Sequence, residues 1–274
     1  MPRTAAVWDE PGGVCGLVGG VGLGEVRTVR SVSLSRGRLG AGEDRLAGGS
    51  RYGQRLMCFS PQADFSAGAV ITVVGIETLR RVRVRRELIV GALPLLLGLH
   101  QLVEGFLWLG LRGEVSAGLG DTAKETYIVF AHAVLPALVP LGFRSLEPDR
   151  RRARWMWPLV GLGVLLGAYL LWQVTAYPVG AQERARCIDY ITHTPNDLLI
   201  GVLYVIVTCG PAMMSSRRHL RWFGVVSLVG VITAALVRVD ELTSLWCVYV
   251  ALVSLLILEH FRRERASEAA PSRS

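Results

Sequence analysis

The chain has 274 residues, 51% of them hydrophobic, with 30 basic against 22 acidic side chains and a formal charge of +8. A mean hydropathy of +0.40 leaves too little polar surface for a water-soluble domain of this length. The positive charge does not point to nucleic acid, because the basic residues stand in short runs between apolar blocks, where they flank membrane spans.

Residues 1–56 are rich in Gly and Arg, hold no apolar run long enough to span, and lack the charged, apolar and small-residue order of a secretory signal. They read as a disordered or over-annotated extension, with the folded part expected to begin at Met57, in "MCFSPQADFSAG". Arg, Gly and Ala dominate and Lys124 is the single lysine, a composition typical of a GC-rich bacterial genome.

From there, seven apolar blocks follow: 63–79, 88–111, 125–143, 155–176, 197–214, 220–239 and 242–261. Each approaches the roughly 20 residues a helix needs to cross the hydrocarbon layer. The first carries Glu77, expected to reach toward Arg80 and Arg81, and the fourth carries tryptophans at both ends as interfacial anchors. "RRVRVRRE", "RSLEPDRRRAR", "SSRRHLR" and the tail "FRRERASEAAPSRS" hold most of the arginines, while the alternate loops hold few. The positive-inside rule then gives an outside N-terminus and a cytoplasmic C-terminus. The expected fold is all-α: a polytopic seven-transmembrane helix bundle over 57–261, followed by a disordered basic tail over 262–274. Its expected location is the bacterial plasma membrane.

"MCFSPQADFSAG", "LRRVRVRRELIVGALPLLLGLHQLVEGFLWLGL" and "SLWCVYVALVSLLILEHF" together resemble an uncharacterised family of bacterial integral-membrane proteins, known only as a domain of unknown function, whose members begin Met-Cys-Phe-Ser. The resemblance covers Met57 to about Phe261. It implies a membrane architecture and carries no activity.

The second block places polar groups where only lipid or dry core is expected. His100 and Glu104 are four residues apart and share a helix face, Gln101 lies three before Glu104, and Trp108 continues the stripe. On the third block, His132 is expected at a depth similar to Glu104. An unpartnered carboxylate in the membrane costs several kcal/mol, so these groups face inward. Three readings compete. The cluster is a packing network, or a site that binds or passes a small solute, ion or proton, or a zinc site of His100, Glu104 and His132 suited to hydrolysis. The second is the leading functional reading, beside the packing network as the plain structural one, and no cofactor is expected under it. The partners expected are the lipid bilayer and a small solute or ion, with no nucleic acid.

Other features read more simply. "ARCIDYITHTPNDLL" is an outer loop, with Asn196 or Asp197 starting a helix, and Arg238, Asp240 and Glu241 form an outer turn. Cys58, Cys187 and Cys247 fall on the oxidising side, where a disulfide from Cys58 is possible. The chain has no phosphate-binding glycine loop, C-x-x-C pair, H-E-x-x-H or G-x-S-x-G elbow.

Overall fold

The computed structural model describes residues 61–184, 187–192, 196–236 and 242–269. In chain order these form α1 (Pro61–Leu79), α2 (Leu88–Leu111), α3 (Ala117–Val129), a π turn (Phe130–Val134), α4 (Leu135–Leu146), α5 (Arg150–Trp155) and α6 (Trp157–Ala176). There follow a hairpin of β1 (Gly180–Arg184) and β2 (Cys187–Ile191), then α7 (Asp197–Met214), α8 (Arg218–Leu236) and α9 (Leu242–Ala269). With α3, the π turn and α4 taken as one rod, the described residues contain seven long helices, in the order expected.

Boundaries differ where local chemistry outweighs hydropathy. The third helix starts at Ala117 rather than 125, because the Ser116 hydroxyl accepts the Leu119 N–H at 3.4 Å and caps its first turn. Before α6 stands the short α5, capped by Asp149 through the Arg151 N–H at 2.8 Å. The expectation of an all-α chain is corrected by the hairpin, in which Gly180 pairs with Ile191 and Arg184 with Cys187, antiparallel. α9 runs to Ala269, so 262–269 are helical and not a disordered tail. Residues 1–60, residues 237–241, where an outer turn is expected, and His193 lie outside the described residues, as do the side chains of Cys58, Cys187 and Cys247 on which a disulfide would depend.

α1 and α2 form the tightest pair. Gly68 and Gly75 on α1, and Gly91, Gly98 and Gly105 on α2, recur every seven residues, and the stripes meet antiparallel. A Cβ at Gly98 would lie 2.6 Å from the Thr72 backbone nitrogen, and one at Gly75 would overlap the Leu95 backbone. Small residues at this spacing let two backbones approach as membrane helices do. The α3–α4 rod is broken for a legible reason. Pro136 has no N–H to offer the turn before it, and Leu135 donates to the Phe130 carbonyl five residues back. That leaves the Ala131 carbonyl without its helical donor, and the Tyr204 hydroxyl from α7 supplies one at 2.6 Å.

The main core joins five helices: Val90 and Leu93 of α2, Phe143 of α4, Ala212 of α7, Leu220 and Phe223 of α8, and Ile257 and Phe261 of α9. Beside it the four arginine-rich segments meet at one end of the bundle. Arg265 pairs with Glu87 and donates to the Arg81 carbonyl at 2.8 Å, Arg217 pairs with Glu264, and Arg152 donates to the Met214 carbonyl at 3.2 Å. Glu77 pairs with Arg81, and with Arg80 at 3.7 Å, as expected. The hairpin closes the opposite end.

Among the described residues, three helical stretches are long and apolar enough to cross a membrane: Arg85–Leu111, Ala117–Leu146 and Arg150–Ala176, with Leu198–Met214 a shorter apolar helix. α1 falls outside this set with Asp64 and Glu77 in its 19 residues, and α8 opens on Arg218 and Arg221. Val70 and Val73 on α1, Leu165 on α6, and Leu198 and Leu199 on α7 are all more than half exposed.

Candidate functional site

The polar stripe of α2 faces α1 and α3 near the hairpin end. Gln101 (2% exposed) and Glu104 (7%) are buried, and against them α1 presents Asp64 (3%) from its first turn. The Gln101 side-chain amide nitrogen donates to both carboxylates, 2.6 Å to Asp64 Oδ1 and 3.0 Å to Glu104 Oε2. Two acidic side chains from different helices thus share one amide within the bundle.

An aromatic stack forms the wall. The His100 ring lies flat on Tyr127 of α3, with centroids 4.0 Å apart and planes 15° from parallel, and Phe130 approaches its ring at 4.9 Å. Tyr127 stacks in turn on Tyr190 of β2, at 4.9 Å and 5°. The Tyr190 hydroxyl donates to Glu104 Oε1 at 3.4 Å, and the Tyr127 phenol interacts with the same carboxyl group. Burial first, then the neighbouring Tyr127 and Glu104, hold the Tyr190 phenol well above its ordinary range, so it remains a donor.

The hairpin is seated by apolar and charged contacts together. Ile188 packs on Leu107, Trp108 and Ala123. The Arg112 guanidinium reaches Glu183 at 3.2 and 3.4 Å and also lies over the Trp108 ring, 5.1 Å from its centroid. Trp108 is 1% exposed, so it serves as a floor for the hairpin.

The structure therefore brings His100, Gln101 and Glu104 together, adds Asp64, Tyr127 and Tyr190, and places His132 near His100 but in none of the hydrogen bonds of Glu104 among the described residues. His132 was expected to meet Glu104. Its Nδ1 is instead 3.1 Å from the Ile128 carbonyl within its own rod, because the π turn alters the helical register at that point. Among the described residues, no group of three or more His, Cys, Asp or Glu side chains is arranged to hold a metal ion, so His100, Glu104 and His132 do not form a three-ligand set. Asp64 is an acid in the first turn of an apolar helix, a feature that marks it only once α1 is set against α2. Tyr127 and Tyr190 carried no signal beyond being aromatic.

The profile of a family of unknown function (DUF6629) matches residues 57–272, beginning at the methionine where the composition changes. No curated protein and no solved structure matches the chain.

Proposed function

The chain belongs to this family of unknown function, DUF6629, and from that premise we propose that it is an integral membrane protein of seven helices that binds and passes protons through the Asp64–Gln101–Glu104 site. The observation that carries the reading is the shared amide: two carboxyl groups, 3% and 7% exposed, held by one Gln101 nitrogen at 2.6 and 3.0 Å. Two negative charges on one donor repel in a low-dielectric interior, and a proton shared between them relieves the repulsion without a further ligand. Gln101 supplies one N–H bond to each carboxyl group, and the Tyr190 hydroxyl donates to the second Glu104 oxygen. Either carboxyl group can therefore give up the proton while its partner takes it.

The membrane setting rests on the exposed apolar helix faces, on the half-exposed Trp155, Trp157 and Trp172 at the two ends of α6, and on the gathering of the arginine-rich segments at one end. By the positive-inside rule that end is cytoplasmic. The hairpin then faces outward, with Tyr190 between Glu104 and the outer solution.

The test is proton flux into liposomes containing the full chain, driven by an imposed potential and read with an internal pH dye. Wild type is expected to pass protons and Glu104→Gln, which keeps the shape and removes the exchangeable carboxyl, to lose most of the flux. Equal flux in both, or none in either, returns the cluster to a packing role.

A further inference from the structure

At the arginine-rich end, α8 carries a surface groove of about 270 Å³ lined by Arg218, Arg221, Trp222 and Val225. These positions recur at helical spacing and so form one outward stripe, which Val229 and Ile232 continue along the helix. Arg218 and Arg221 are exposed, and among the described residues neither makes an ion pair. Trp222, Val229 and Ile232 are each about half exposed. Their order along the helix is charged, then aromatic, then aliphatic.

The geometry points to a binding site for a phospholipid with an anionic headgroup, taken from the cytoplasmic leaflet of the bilayer. Two guanidinium groups meet the phosphate and the headgroup charge, since an arginine fork matches phosphate oxygens. Trp222 lies at the level of the glycerol backbone, where an indole presents both an apolar face and an N–H. Val225, Val229 and Ile232 then run beside the acyl chain. Charge complementarity selects this occupant: a zwitterionic lipid gains less from two unpaired cations, and a soluble anion leaves the aliphatic half of the stripe uncovered. Arg144, by contrast, is already stacked on Trp157 with its guanidinium carbon 3.7 Å from the ring centroid. The inference rests on the membrane reading above and is independent of the proton site.

Native mass spectrometry of the full chain in mild detergent tests it, with phosphatidylglycerol and phosphatidylcholine of the same acyl chains as probes. Two arginines near an anionic surface are expected to favour phosphatidylglycerol by about 30-fold. Arg218→Gln with Arg221→Gln removes that preference, the corresponding double change to Lys keeps most of it, and Arg150→Gln with Arg151→Gln, at the same end of the bundle, leaves it intact. Equal preference in the Arg218/Arg221 glutamine variant and wild type overturns the site, as does an equal loss in the Arg150/Arg151 variant, which signals diffuse surface charge. Displacement of the lipid by millimolar inorganic phosphate overturns the lipid assignment in favour of a free-anion site. Release of the chain from membranes by alkaline carbonate overturns the membrane reading itself. A carbonate-resistant chain with no headgroup preference overturns the lipid site alone.

Discussion

Gln101 and Asp64 are 37 residues apart in sequence, and their side chains meet at 2.6 Å inside the bundle. This contact ties α1 to α2 by polarity where the glycines tie them by shape. Replacing Gln101 with Leu keeps a similar volume but removes the donor common to two buried carboxyl groups, a loss of about 0.5–1.5 kcal/mol for each bond. Gln101→Leu is expected to melt several degrees below wild type in detergent, and Gln101→Glu, which adds a third acid, lower still.

How much of this was readable beforehand depended on which residues carried it. His100, Gln101 and Glu104 stood out because polar residues at helical spacing in an apolar run have one explanation, an inward face. The other half of the site did not stand out. Asp64 looks like an ordinary first-turn acid until the glycine register of α1 against α2 is known, and that register is a tertiary fact. Tyr190 was hidden in a segment taken for a loop, because five-residue strands rich in charge give little periodicity. His132 turns back to the Ile128 carbonyl within "VFAHAVLP", where the π turn before Pro136 is a backbone feature that hydropathy does not announce. Hydropathy located the long helices but not their ends, which Ser116 and Asp149 decide by capping.

The space beside each backbone predicts opposite signs for two glycines. Gly75→Val places carbon against the Leu95 backbone, which cannot rotate away, so it is expected to cost about 1–3 kcal/mol or prevent folding. Gly161 on α6 has nothing within 4 Å of an added Cβ, and Gly161→Ala is expected to stabilise by up to ~1 kcal/mol from helix propensity. Thermal denaturation of the two variants beside wild type checks both signs.

At the π turn, Tyr204→Phe removes the 2.6 Å bond to the Ala131 carbonyl and nothing else. The expected loss is about 1–2 kcal/mol, the cost of a buried acceptor left unsatisfied. Pro136→Ala restores an N–H and allows a regular helix, so combining it with Tyr204→Phe is expected to cost less than the sum of the two. A double-mutant cycle on melting temperatures shows whether the coupling has that sign.

On the hairpin, Arg112 has two partners and Glu183 one of those described. Arg112→Ala therefore loses both the ion pair and the contact with Trp108, whereas Glu183→Ala loses the ion pair, worth about 0.2–1 kcal/mol at this exposure. Arg112→Ala is expected to be the more harmful in stability and to change the Trp108 fluorescence, and added salt is expected to narrow the effect of Glu183→Ala. Equal effects of the two substitutions at every salt concentration contradict the stacking on Trp108.

The central claim is that a proton is shared within the Asp64–Glu104 pair, and infrared absorption of the full chain measures it most directly. Spectra in H₂O and D₂O are compared for wild type, Glu104→Gln and Asp64→Asn with Glu104→Gln. A shared proton gives a protonated-carboxyl band in wild type that shifts on deuteration, falls in the single variant and disappears in the double one. A wild-type spectrum without such a band, or one that the variants leave unchanged, contradicts it.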